Sequence, residues 1–219
     1  MFKWFFILQC SLFSTYFISG QENINSIYFK NLQPDNNAII GEFPDTLLGC
    51  YYKNKDSLVQ LCITKDSIYT TYTIIVPVTN NEMKENNYFT KFDSLLFGMH
   101  KKKGLPYKSI NDTLYVFLKQ SDLFFKINDE NQIKYHNDLL FLNELTPYNN
   151  YIVLLLSKTK QHLYLHECDP QYPLSPINQV NVSKKTINGQ ESYIANPNLE
   201  QLEKFINKHG FSDTLKFHL

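Results

Sequence analysis

The sequence predicts a mostly β protein: an antiparallel meander, closed as a barrel or packed as a sandwich, with one C-terminal amphipathic helix outside it and a terminal strand. Three observations carry this expectation. A polar turn pair followed by alternating apolar residues returns along the chain, as in Asp56-Ser57-Leu58-Val59, Asp66-Ser67-Ile68-Tyr69, Asp93-Ser94-Leu95, Asp112-Thr113-Leu114 and Asn137-Asp138-Leu139. Asp, Asn and Ser bond nearby backbone and favour turns, while Leu, Ile, Phe and Tyr at period two build half-buried strands. Second, strand parity varies. Leu163 and Leu165 alternate with His162, Tyr164 and His166, which gives one dry face and one wet face, whereas Leu114 to Leu118 and Tyr151 to Leu156 are apolar on both faces. A strand that is apolar on both faces needs a cover. Third, Leu199, Leu202, Phe205 and Ile206 form one helical stripe that can supply it.

Residues 1–20 read as a secretory signal peptide. Lys3 is followed by the mostly apolar Trp4 to Ile18, and Ser19-Gly20 offers small residues for cleavage. The alternative is a retained anchor, for which this run is short. Residues 21–45 read as a polar, extended lead-in broken by Pro34 and Pro44. A single β-rich domain then fills 46–219. Its strands are expected near 46–53, 57–64, 66–76, 93–99, 112–118, 121–127, 138–143, 150–157 and 161–167, with a short one near 132–135. Thr79 to Asn87 and the basic stretch Lys101 to Pro106 are expected to be irregular. Gln179 to Ala195 reads as a hairpin about Asn188-Gly189, a type I′ turn pair. The helix is expected at about 198–209, opened by Asn198 with Gln201 three residues on and stopped by Gly210. Asp213-Thr214-Leu215 starts a last strand that returns to the sheet.

Composition excludes more than it selects. The 219-residue chain is formally neutral and has no Arg, so removing Lys3 with the leader leaves a net charge of about −1. Without Arg the chain lacks the best bidentate donor for phosphate. Nucleic-acid recognition and phosphoryl transfer are therefore not expected. No Gly-rich phosphate loop, Cys-x-x-Cys or His-Glu-x-x-His occurs, and no cofactor or metal is expected.

Cys50 and Cys62 sit symmetrically about Asp56, so a hairpin would place them opposite each other, as a cross-strand disulfide or as two separate buried thiols. Cys168 is left over in either case. His162-x-Tyr164-x-His166-x-Cys168 puts reactive side chains on one face of one strand. His166 and Cys168, roughly 6.5–7 Å apart by strand geometry, could share a metal, but one pair is short of a closed zinc site. No third group is identifiable to orient a His166 base, so no catalytic residue is assigned and an envelope hydrolase stays a minor alternative. With 17 Phe and 15 Tyr the chain is rich in rings, and Tyr72, Tyr115 and Phe125 are the candidates to line a ligand cavity.

The order of meander, outer helix and closing strand resembles the lipocalin and calycin group. The opening Phe43-Pro44-Asp45-Thr46-Leu47-Leu48-Gly49-Cys50-Tyr51 is also similar to those of uncharacterised secreted proteins from Bacteroidetes-type bacteria. The family's Gly-x-Trp signature is absent, since the only Trp is Trp4; Gly49-Cys50-Tyr51 stands in its place with Tyr51 for the Trp, and the Arg that stacks on that Trp is missing. The resemblance implies a secreted or periplasmic, non-catalytic binding module with a small apolar molecule inside a barrel. The alternative is a structural or interaction protein of the cell envelope with a filled interior and an envelope protein as partner. After signal cleavage no transmembrane span is expected.

Overall fold

In a computed structural model the chain is described at residues 27–54, 58–91, 94–96, 104–168, 182–187, 189–211 and 213–219. The leader, Lys101 to Lys103 and the Asp56-Ser57 turn lie outside these. The lead-in carries β1 (Ile27–Phe29) and β2 (Ile39–Ile40). The meander begins with β3 (Gly49–Tyr52), β4 (Val59–Ile63) and the long β5 (Ser67–Thr79), followed by helix α1 (Asn80–Glu85). Next come β6 (Phe89–Lys91), β7 (Ser94–Leu96), β8 (Leu105–Ile110) and the long β9 (Thr113–Lys126). The meander resumes with β10 (Asn131–His136), β11 (Leu139–Leu145), β12 (Tyr151–Lys158) and β13 (His162–Glu167). It is followed by β14 (Ser183–Ile187), β15 (Gln190–Ala195), helix α2 (Leu199–Asn207) and β16 (Asp213–His218).

The turn residues act as their chemistry dictates. Asn137 and Asp138 both take left-handed backbone, with φ of 47° and 62°, and join His136 to Leu139 in a two-residue hairpin. That is the type I′ geometry that matches strand twist. Asn111 (φ 53°) does the same between β8 and β9, and Gly189 (φ 80°) between β14 and β15.

The fold is mostly β and nearly all antiparallel, but the sheet does not close into a barrel. β16 pairs with β13 and, through His218 opposite Tyr52, with β3, so it joins the last meander strand to the first. On the other side closure fails. β10 gives its second edge to β2 and β9 gives its second edge to β8, so among the described residues no ladder links β9 to β10.

Two cores sit on the two faces of this curved sheet. The inner one is built from β3, β4, β5, β9, β10, β11, β12, β13 and β16, and Phe43 and Leu47 of the lead-in enter it from one end. The outer one lies over β11 and β12: Phe141, Val153 and Leu155 are covered by Ile27, Phe29, Ala195, Leu202, Phe205 and Phe211. Parity along β12 makes this possible, because Leu154 and Leu156 face the inner core while Val153 and Leu155 face the outer one. Helix α2 is the expected cover. Asn198 caps it, accepting from the Gln201 N–H at 3.0 Å while the Gln201 side chain accepts from the Asn198 N–H at 2.9 Å. Gly210 follows the helix for a packing reason. His209 takes the left-handed conformation (φ 61°), and a Cβ at Gly210 would fall 2.3 Å from the Phe205 ring.

The lead-in is a strap held by buried polar groups. Asn143 points outward from β11 and treats the Gln33 backbone as a strand would: its Oδ1 accepts from the Gln33 N–H at 2.6 Å and its Nδ2 donates to the Gln33 carbonyl at 2.8 Å. Both residues are fully buried. Lys134, on the same face of β10, donates to the Pro34 carbonyl at 2.9 Å and to the Leu32 carbonyl at 3.5 Å. Burial pushes its amine below the ordinary lysine range, and Asp35 opposes that shift. Nothing in the sequence marks this strap, because each bond spans 100 residues or more.

Candidate functional site

The stretch Phe43 to Tyr51 closes one end of the inner core. Pro44 precedes a single 3₁₀ turn at Asp45–Leu47, which drops Leu47 inward, and Gly49 (φ 132°) lets the chain swing into β3. Tyr51 is fully buried and donates its hydroxyl to the Leu47 carbonyl at 2.8 Å. Lys158, from the far end of β12, lies 5.2 Å from the centre of the Tyr51 ring, donates to the Tyr51 oxygen at 3.0 Å and also reaches the Thr46 carbonyl. The two distances place the ammonium at the hydroxyl edge of the ring, near its plane, so it acts as a hydrogen-bond donor to the Tyr51 oxygen and the Thr46 carbonyl and not as a cation over the ring face. Immediately beside it Cys50 and Cys62 form a disulfide, directly opposite each other on β3 and β4 with Cα atoms 4.0 Å apart. Of the two arrangements open from sequence, the cross-strand bond is the one present. A loop this short restrains the unfolded chain by about 3 kcal/mol.

The three candidate cavity residues are not brought together. Phe125 is 3% exposed and packs edge-on against Phe43, with ring centres 6.3 Å apart, as part of the inner core. Tyr72 lies on the same face of the β5–β9 pair as Ile68, four residues further along and so roughly 13 Å away. There it donates to the Asp122 carboxylate at 3.1 Å in an exposed position. Tyr115 sits opposite Pro77, on the other face of that pair. The inner core around Phe125 is formed by the buried side chains of Phe43, Tyr51, Ile68, Ile133, Leu140, Leu142 and Leu156.

His166 is committed to its own sheet. Its ring exchanges hydrogen bonds with Ser157 Oγ at 3.1 Å and Thr214 Oγ1 at 2.9 Å, and burial pushes its imidazole below the ordinary range. Cys168 packs at the margin of the outer core. Among the described residues no group of three or more His, Cys, Asp or Glu side chains is placed to hold a metal.

The surface that sequence reasoning missed lies on an arm. β4 accompanies β5 only as far as Tyr72, but β5 and β9 continue beyond it, with Thr73 to Thr79 against Thr113 to Lys119. β8, β7 and β6 add to the far edge of β9. The expected strands 112–118 and 121–127 are thus one strand. The polar run Lys119 to Asp122 that looks like a turn is the exposed neck of the arm. Of the stretches expected to be irregular, Thr79 to Asn87 contains α1, and Leu105 and Pro106 already belong to β8. Thr79 and Glu82 form a capping box there, and the Thr79 N–H and hydroxyl hold the Glu82 carboxyl below the usual range. That Thr-x-x-Glu spacing was the available signal.

The two faces of the arm differ. On one, Val78, Leu95 and Val116 form a small buried core with Met83, Tyr88, Leu105 and Tyr107 around it, and a shallow groove of about 330 Å³ runs between Met83, Lys84 and Tyr88. On the other face the register pairs Ile75 with Phe117 and Pro77 with Tyr115, with Ile110 one strand over. Ile75 is 41% exposed and Ile110 46%. Lys108, opposite Tyr115, and Lys119, opposite Thr73, stand on the same face. Among the described residues the two-faced apolar run Leu114 to Leu118 therefore receives a cover on one side only, and that cover is α1 with β7, not α2.

Compared with protein-family models, curated proteins and solved structures, the chain matches none significantly. Its fold defines it as a mostly β protein built on one curved antiparallel sheet with an outer helical cover. No helix among the described residues is long and apolar enough to cross a membrane.

Proposed function

We propose that the chain is an exported, non-catalytic interaction protein of the cell envelope, which docks on another protein through the bare face of its arm. The observation that carries this reading is the cluster of exposed Ile75, Pro77 and Ile110 with half-buried Tyr115 and Phe117 between them, on a sheet whose opposite face already has its own core. Contiguous exposed apolar area of this kind marks contact surfaces. Rings and aliphatic groups in the middle with Lys108 and Lys119 beside them suit a partner patch that is apolar at its centre and acidic at its rim. Docking is through the face and not by strand addition along β5. Pro77 lacks an N–H, and a proline on an edge strand discourages pairing.

Export is supported by the Cys50–Cys62 disulfide, which persists in oxidising compartments, together with the leader-like residues 1–20. The lipocalin resemblance is supported by the outer helix α2 and by β16, which joins the last meander strand to the first. A small apolar ligand inside the sheet is the weaker reading, since Leu and Phe side chains fill that interior.

The test is site-specific photo-crosslinking in the native host. A photoreactive residue at Phe117 is expected to give a discrete protein adduct that Ile75→Glu abolishes, while the same probe at Tyr164, on the outer face of β13, gives none. An adduct at Tyr164 alone, or none at Phe117, sinks the reading.

A further inference from the structure

We propose a transition-metal site at His162 and His218, on the outer face of the β13–β16 pair, that takes Zn²⁺ or Cu²⁺. The two residues are directly opposite each other in the antiparallel ladder. Their ring centres are 4.7 Å apart and their planes nearly perpendicular, at 73°. With metal–nitrogen bonds of 2.0–2.1 Å, a ring centre lies about 3.2 Å from a bound ion, so two imidazoles at a right or tetrahedral angle have centres about 4.5–5.2 Å apart. The observed spacing falls within that range. The site requires each ring to turn about its side-chain bonds so that one nitrogen of each faces the shared ion.

The other histidines in the sheet show what is distinctive here. His166 spends its nitrogens on Ser157 and Thr214, and His136 is engaged with Glu203 at 2.7 Å and with Asn37 and Asn137. The ring nitrogens of His162 and His218 make no hydrogen bond to any described residue. Tyr164 and Lys216 share the face, with the Lys216 ammonium 6.0 Å from the Tyr164 ring centre. Two imidazoles leave the remaining positions of the ion to water, so the site is open. Imidazole pairs suit Zn²⁺ and Cu²⁺, with Cu²⁺ the tighter by the usual order of divalent ions.

The test titrates the untagged mature chain with ZnCl₂ and with CuCl₂ by calorimetry. About one ion per chain is expected to bind saturably, Cu²⁺ more tightly than Zn²⁺. His162→Gln and His218→Gln should each weaken binding more than the roughly 10–100-fold that losing an outer-shell partner costs, while His136→Gln leaves it unchanged. Circular dichroism of each variant establishes that the sheet is intact. Absence of saturable binding, or binding that survives both substitutions, overturns the proposal.

Discussion

Asn143→Ala is expected to destabilise the protein by about 2–5 kcal/mol. The substitution removes little volume, so the effect comes from what it leaves behind. The Gln33 N–H and carbonyl would both remain buried without their partner, and each orphaned backbone group costs about 1–3 kcal/mol. Gln33 is fully buried, and its side-chain oxygen already has no partner among the described residues, so the site has nothing in reserve. Around this point the strap would keep the Lys134 bonds to the Pro34 and Leu32 carbonyls, the Asn37 bond to the Tyr135 carbonyl and the short β2–β10 ladder. Urea unfolding of the wild type and variant measures the loss, and hydrogen exchange at Ile39 and Ile40 should report that β2 leaves the edge of β10 first. A change below about 1 kcal/mol would mean that the strap contributes little.

Phe205→Ala is expected to cost about 3–5 kcal/mol, the range for emptying a buried aromatic site. Phe205 is 2% exposed, meets Phe211 edge-on with ring centres 5.5 Å apart, and lies so close to Gly210 that no Cβ fits between them. Its loss opens the outer core over Val153 and Leu155, which have no other use for an apolar outward face. Unfolding by denaturant should show a lower midpoint. Exposed Glu200, tied only to Lys204 in the next turn, provides the control, and its replacement by Ala should change stability by less than about 0.5 kcal/mol.

Local physics made the main sheet legible. Asn137-Asp138 and Asn111 are turn residues in fact, and alternation placed β3, β4, β5, β11, β12 and β13 close to where they lie. The outer helix was legible twice, from its own stripe and cap and from the outward Val153 and Leu155 that require a cover. The arm was not. Its neck is wet on both faces, so Lys119-Gln120-Ser121-Asp122 carries the composition of a turn although it is strand, and α1 is too short to show a helical period.

The rule that a two-faced apolar strand is covered holds only in part for Leu114 to Leu118, where Tyr115 and Phe117 are half-buried and no described element packs over them. A local rule left incomplete among the described residues is what a binding surface looks like from the sequence side. Tyr72, Tyr115 and Phe125 were grouped by residue type alone. Their faces depend on a register shift between Ile68 and Tyr69 that no local pattern announces. The Lys158–Tyr51 contact and the Asn143–Gln33 bonds were hidden for a simpler reason: they join residues more than 100 positions apart.

A filled interior and an outward binding face are two sides of one claim, and native mass spectrometry of the protein purified from its own envelope tests it most directly. The account predicts the mass of the mature polypeptide, alone or with a protein partner that Ile75→Glu releases. A stoichiometric apolar small molecule retained by the folded chain, surviving that substitution, would contradict it.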